Sequence, residues 1–276
     1  MLGFGAAAVV GLVACAAAPP APNPAQQAAQ NASQAAARAL ARGDLPQARG
    51  QYEAALLAAE SVEDFQLAGV ALLNLALVQA RAGDLSGGHA RLDRVLAAPQ
   101  RFGPAMLARA STRKALLYLD APDLDAALTW ADAAQAACAT PCELGASLAN
   151  LRAHVALQRG DATLAAQWAG RAVASATAPA AVAEQANALR LLGRARSQLK
   201  LHDEAGQSLA QALAIDQRLG LPERVALDLV YAAENELARD RPAAAREFFE
   251  RALVVYQAMG QRAATDRVRA RLLALP

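Results

Sequence analysis

Residues 189–213 read LRLLGRARSQLKLHDEAGQSLAQAL, and three small residues in this stretch set the pattern of the whole chain. Gly193 is followed twelve positions later by Ala205 and seven positions after that by Ala212. The same triplet recurs six times with a period near 40 residues. Its members are Ala36, Ala48 and Ala55; Ala76, Gly88 and Val95; Ala115, Ala127 and Ala134; Ala153, Ala165 and Ala172; Gly193, Ala205 and Ala212; Ala233, Ala245 and Ala252. A fixed period of this length indicates stacked supersecondary units, which favours a scaffold over an enzyme.

Composition and turn residues predict that every unit is a pair of helices. The 276 residues are 55% hydrophobic but only 4% aromatic, so the apolar content is mostly Ala and Leu, which favour helix. Breakers such as Gly83-Asp84 and Gly160-Asp161 end one helix and cap the next. The predicted pairs are 25–42 with 45–60, 63–82 with 85–98, 103–119 with 123–137, 142–159 with 161–176, 180–200 with 203–219, and 222–239 with 242–259. A final amphipathic helix, 261–274, is expected to cap the last exposed face.

This arrangement resembles the tetratricopeptide repeat (TPR). That family has small residues at its eighth, twentieth and twenty-seventh positions and a large residue at its twenty-fourth. The large position is filled here by Tyr52, Leu92, Leu209 and Phe249 in repeats one, two, five and six. The resemblance implies an all-α, TPR-like α-solenoid of about six antiparallel helix pairs with a C-terminal capping helix.

Two departures from the family pattern are clear. The period is near 40 instead of 34, which implies longer helices. In repeats three and four the large position holds Ala131 and Ala169, while Trp130 and Trp168 stand one place earlier. These two tryptophans either form an exposed docking ridge or turn inward to fill the space that the alanines leave.

The N-terminus ends its apolar run in Leu12-Val13-Ala14-Cys15, which resembles the lipobox of bacterial lipoproteins. The resemblance implies a signal peptide over 1–14, an acylated Cys15 with a Pro-rich tether over 15–24, and a repeat domain over 25–276. Ala16 follows the cysteine in place of the Asp that retains such proteins in the inner membrane, which implies the periplasmic face of the outer membrane. The basic region expected at the start of a signal is missing, which a true start codon further upstream would explain. An ordinary secretory signal or a buried apolar N-terminal segment is the alternative.

The two remaining cysteines, Cys138 and Cys142, are expected to form a local disulfide in the oxidising periplasm. A zinc site is the alternative, but a lone Cys pair supplies only two of the usual four ligands. We therefore predict no metal and no cofactor.

A candidate partner-binding groove follows from the TPR resemblance. In that family the second, fifth and ninth positions of each first helix line a concave surface. The groove residues assigned in this way are Leu73, Leu77, Arg109, Asn150, His154, Asn187, Arg190 and Arg194. The hypothesis is that the polar residues of repeats four and five hold an anionic partner end, because Arg forks bind carboxylates well, while the leucines take apolar side chains. The alternative is a solvated face on which Arg190 and Arg194 pair with local carboxylates.

The sequence argues against catalysis and against nucleic-acid binding. His89, His154 and His202 are scattered through different repeats, and no catalytic motif is present. The formal net charge is only +2, without a basic stripe along the chain.

We expect a non-enzymatic, outer-membrane-anchored periplasmic lipoprotein that serves as a scaffold or adaptor for envelope proteins or peptides. By resemblance to TPR lipoproteins, peptidoglycan enzymes are the first candidate partners. A pilotin-like assembly factor for a pilus or secretion secretin is one alternative, and a receptor for a small anionic ligand or glycan is another. The oligomeric state stays open.

Overall fold

The computed structural model describes residues 23–121 and 123–275, and the regular structure in these ranges is entirely helical. The α-helices are α1 Pro24–Ala41, α2 Leu45–Glu60, α3 Phe65–Arg81, α4 Leu85–Leu96, α5 Pro99–Asp120, α6 Leu124–Ala137, α7 Gly145–Gln158, α8 Ala162–Ser175, α9 Val182–Gln198, α10 His202–Arg218, α11 Pro222–Ala238, α12 Pro242–Ala258 and α13 Arg262–Leu273. The predicted all-α class is thereby confirmed. The proposed signal peptide, Cys15 and nearly all of the tether lie outside the described residues.

Successive helices pack as six antiparallel pairs, and α13 covers α12 at the end of the stack. Each odd-numbered helix from α1 to α9 also contacts the next odd-numbered helix, whereas no comparable contact joins two even-numbered helices in the described part of the chain. One edge of the stack is therefore packed more closely, which curves the array with the odd-numbered helices inside. We call the face formed by α3, α5, α7, α9 and α11 the inner surface. The molecule is a TPR-like α-solenoid, as expected.

The small residues of the repeating triplets lie where the helices of a pair cross. Ala115 and Ala127, for example, are fully buried. A Cβ atom added to Gly193 would come within 2.7 Å of the Leu209 side chain, so the backbones approach too closely for a larger residue without a shift. The alanine and glycine triplets thus set the distance between helices.

The turns follow the predicted glycine and aspartate chemistry in repeats one, two and four and depart from it in the last two. Gly83 and Gly160 have φ angles of 85° and 77°, a conformation that favours glycine. The Asp84 and Asp161 side chains then accept from backbone amides of α4 and α8. In the repeat-five turn Lys200 takes the same left-handed conformation, with φ 64°.

Some helix boundaries differ from the prediction for local reasons. Gly103, with φ 69°, interrupts the first turns of α5, so the straight part of this helix begins at Pro104. Helix α7 begins at Gly145, three residues later than expected, because Cys142 is held in the preceding turn by its disulfide to Cys138. None of the helices within the described ranges is long and apolar enough to cross a membrane.

Candidate partner-binding surface

The apolar part of the predicted groove divides between core and surface. Leu73 is buried and belongs to the core that runs from α1 to α5. Leu77, one turn later on α3, is only half-buried, and Leu116 of α5 is 40% exposed. Leu77 and Leu116 therefore give the inner surface its apolar part, whereas Leu73 stabilises the fold beneath it.

Three of the predicted polar residues have partners inside the chain. Arg109 is exposed and pairs with Glu143, with Nη2 2.8 Å from the Glu143 carboxylate. Asn150 is buried, and its amide nitrogen donates to the Glu184 carboxylate at 2.8 Å and to the Glu184 carbonyl at 3.0 Å. The Asn187 side chain accepts from Arg190 at 3.1 Å. These residues link neighbouring repeats or orient other side chains.

Arg190 corrects the predicted clamp. Its side chain is 5% exposed and lies between Asp216 and Asp228, both of which are fully buried. Its Nε donates to Asp228 Oδ1 at 2.6 Å, and Nη2 donates to Asp216 Oδ2. A guanidinium that is buried against two carboxylates of its own chain is not presented to a partner, so Arg190 belongs to the interior.

His154 and Arg194 remain on the inner surface and act on each other. His154 is half-buried, with Nε2 2.7 Å from the amide nitrogen of Gln158. Burial and the nearby Arg194 both lower the pKa of His154. The Arg194 guanidinium lies 4.4 Å from the centre of the Tyr231 ring and has no ion pair among the described residues. Arg194 therefore favours a negative charge that the described residues do not supply.

Arg113 of α5 is a second cationic centre and lies outside the groove positions predicted from the sequence. It is half-buried, and burial lowers its pKa first, followed by repulsion from Arg81 at the end of α3. Neither arginine has a hydrogen bond or an ion pair among the described residues. Arg113 stands one place after the fifth position of its helix, so it is not one of the three groove positions of the family pattern. The only hint in the sequence is that a second cation, Lys114, follows it directly.

The two tryptophans pack against cations instead of forming a bare ridge. The Lys114 amino group lies 4.3 Å from the centre of the Trp130 ring, and the Arg152 guanidinium 5.1 Å from that of Trp168. The same cations pair with carboxylates on the preceding outer helix, Lys114 with Asp93 and Arg152 with an aspartate of α6 at 2.8 Å. Both rings are half-buried, which favours the packing interpretation.

The predicted disulfide is present, and the two other features considered as sites are a metal cluster and a cavity. Cys138 and Cys142 are bonded, with their Cα atoms 5.4 Å apart. No group of three or more His, Cys, Asp or Glu side chains within residues 23–121 and 123–275 is placed to hold a metal. A cavity of about 510 Å³ between α2 and the turn after α3 is mainly apolar, and its Arg49 is already paired with Glu53 at 3.1 Å.

No protein-family model and no curated protein sequence matches this chain. Solved structures do. The chain superposes on the APC/C hetero-tetramer Cut9–Hcn1 over 89% of its own length and 43% of that chain, with a TM-score of 0.67 and 17% identity. The superposition on the Rap protein complexed with Competence and Sporulation Factor covers 90% of this chain and 76% of that chain, with a TM-score of 0.60 and 10% identity. The superposition on BtubC (BKLC) from P. vanneervenii covers 87% of this chain and 93% of that chain, with a TM-score of 0.59 and 18% identity.

These likenesses show the fold alone, because all three identities are below 20%. The chain also spans less than half of the Cut9–Hcn1 chain that it matches.

Proposed function

We propose that this protein is a lipid-anchored scaffold of the bacterial envelope that binds an acidic segment of a partner protein along its inner surface. The anchor rests on the lipobox-like sequence before Cys15 and the Pro-rich stretch after it. On this proposal the protein faces the periplasm from the outer membrane and holds partner proteins, among them peptidoglycan enzymes. Rap complexed with Competence and Sporulation Factor, and Cut9 in a hetero-tetramer with Hcn1, are solenoids of similar shape that hold other molecules.

The observation that carries the binding proposal is the unpaired positive charge of the inner surface. Two groups of basic side chains lie on successive inner helices without a carboxylate partner among the described residues. They are Arg81 with Arg113, and His154 with Arg194. Many other arginines among the described residues do have a carboxylate partner, as Arg109 has Glu143. Leaving a half-buried guanidinium without a carboxylate partner costs free energy, and an acidic ligand would remove that cost.

The apolar neighbours suggest a polypeptide as the ligand. Leu77 is half-buried and Leu116 is 40% exposed, and they lie on the two helices that carry Arg81 and Arg113. A peptide with acidic side chains flanked by apolar ones would bury these leucines while its carboxylates reach the arginines. A small anion would use the arginines but leave the leucines bare. It is the second candidate because the same cations suit it.

The test is capture of partners from envelope extract with three forms of the full-length chain. Arg113→Gln/Arg194→Gln removes both cationic centres. The control, Arg218→Gln/Arg262→Gln, removes two exposed arginines from α10 and α13. We expect one or more envelope proteins to bind the parent and the control, and to bind the double variant at least about tenfold more weakly, since a charge-assisted hydrogen bond contributes about 1.5–3 kcal/mol.

Two further outcomes decide between the alternatives. Equal capture by all three forms would refute the inner surface as the binding site. If no protein is captured but a dicarboxylate raises the melting temperature of the parent and not of the double variant, the small-ligand function replaces the scaffold. The anchor is tested separately: Cys15→Ser should move the protein from the membrane to the soluble fraction, and unchanged fractionation would contradict acylation.

A further inference from the structure

Three charged side chains meet in the interior where the fifth and sixth repeats join. Arg190 comes from α9, Asp216 from α10 and Asp228 from α11, so the group ties together three consecutive helices. Both aspartates are 0% exposed and Arg190 is 4% exposed. We call these three residues the junction cluster.

The hydrogen bonds of the junction cluster leave one acceptor without a donor. Arg190 uses Nε and Nη2 on Asp228, at 2.6 and 3.4 Å, Nη2 also on Asp216, and Nη1 on Asn187. The second oxygen of Asp216, Oδ1, is buried and has no partner among the described residues. A buried acceptor without a donor is costly, and each guanidinium nitrogen is already engaged.

The charges of the junction cluster do not balance either. Two carboxylates and one guanidinium leave one excess negative charge in the interior. The charged groups that act on Asp228 are Arg190 from α9 and Asp216 from α10. Arg224, on the same helix as Asp228, instead donates to the backbone carbonyl of Ala183 at 3.2 Å, and Phe249 of α12, which packs against α11, is apolar.

A proton is the smallest species that corrects both defects. On Asp228 it would cancel the excess charge and supply an O–H donor to the neighbouring carboxylate. The pKa of Asp228 is raised to about 6: burial raises it most, Arg190 lowers it and Asp216 raises it again. Two close carboxylates with one cation are expected to share a proton in this way.

We propose that Asp216 and Asp228 share one proton in the folded protein, so that mild acidification stabilises the contact between the fifth and sixth repeats. Above neutral pH the junction cluster holds an uncompensated charge, and this contact is less stable. The same helices carry the Arg194–Tyr231 contact of the inner surface, with Arg194 one turn after Arg190 and Tyr231 three residues after Asp228. If the proposed function holds, proton uptake therefore stiffens one end of the partner-binding surface.

The sign of the effect distinguishes the junction cluster from the histidines. A carboxyl group whose pKa is higher in the folded than in the unfolded chain, about 6 against 3.8 for Asp228, stabilises the fold increasingly as the pH falls from about 7 towards 4. The pKa values of His89 and His154 are lowered in the folded chain, so these residues destabilise it as the pH falls below 6.5. A difference between two variants cancels the contribution of the histidines.

The experiment is urea unfolding of the full-length chain, Asp228→Asn and Glu247→Gln between pH 7.5 and pH 5.0. Glu247 is an exposed carboxylate of α12 and serves as the control. The folding constant of the parent, divided by that of Asp228→Asn, should rise about tenfold over this range, as a pKa of about 6 implies. Glu247→Gln should follow the parent.

A ratio that stays constant with pH would overturn the proposal. If Asp228→Asn fails to fold, the carboxyl carbons of the parent are followed by NMR instead: one aspartate titrating near pH 6 supports the proposal, and none titrating above pH 5 refutes it. Both measurements use the protein without a partner, so they succeed or fail independently of the scaffold function.

Discussion

Between α3 and α5 the repeats meet through buried apolar side chains, whereas the contacts between α9 and α11 include a buried arginine and a buried aspartate. In the first half, Met106 of α5 packs so closely on Gly69 of α3 that a Cβ on the glycine would come within 2.8 Å of it. In the second half, Arg190 and Asp228 fill the equivalent junction. An apolar junction tolerates changes of pH and salt, while a buried ionic one depends on every partner being present and correctly charged.

The largest effect should come from removing the shared cation of the ionic junction. Arg190→Ala leaves Asp216 and Asp228 buried without their guanidinium, and breaking such a group costs about 3–5 kcal/mol of unfolding free energy. Urea unfolding at pH 7.5 measures this loss. The exposed Arg218→Ala is the control, and a loss below 1 kcal/mol would show that the junction cluster contributes little to stability. Because Arg190→Ala acts through the fold, it is unsuited to mapping partner contacts.

A slightly smaller loss of unfolding free energy is expected when a buried leucine in the apolar core of the first half is truncated. Leu75 of α3 is fully buried in the core of the first half, and Leu75→Ala should lower the unfolding free energy by about 3 kcal/mol through lost contacts and the cavity left behind. The exposed Leu57→Ala should change it by less than about 0.5 kcal/mol. The loss at Leu75 should be the same at pH 5.0 and pH 7.5; a strong pH dependence would contradict the contrast between the two junctions.

The turns of the two halves offer the smallest and most specific test. Lys200→Gly should raise the unfolding free energy by about 1 kcal/mol, since Lys200 has φ 64° and glycine adopts this conformation without a steric cost. Lys200→Ala keeps the strain and is the matched control. Gly160→Ala should lose about as much as Lys200→Gly gains. Equal melting temperatures for Lys200→Gly and Lys200→Ala would show that the turn is unstrained.

The repeating architecture was predictable because it depends on short-range spacing. The interval from Gly193 to Ala205 fixes where two helices cross, and the breakers between them fix the turns. The displaced Trp130 and Trp168 were recognised as a departure, but their cationic partners were not. Those partners lie on other helices, and a repeat period says nothing about which side chain reaches across a junction.

The candidate surface was predicted less well, for the same reason. Arg190 sits at a groove position by spacing, but it is drawn inside by Asp228, which lies 38 residues later in the chain. The signal was present in the sequence: Asp228 stands in VALDLVY, residues 225–231, where an apolar run makes a solvated carboxylate improbable. His154 and Arg194 occupy groove positions of the family pattern, whereas Arg113 stands one residue outside them.

The polar pairs between repeats also bear on the order in which the repeats stack. Small-residue seams such as Ala115 with Ala127 join the two helices of one pair and are nearly alike in every unit, so they do not distinguish one unit from another. The ionic and hydrogen-bonded links differ: Asn150 reaches Glu184 between repeats four and five, and Arg190 reaches Asp228 between five and six. A unit placed beside the wrong neighbour would bury a charge without its partner. The polar pairs therefore give each unit its identity, and they oppose exchange of equivalent units within one molecule or between two.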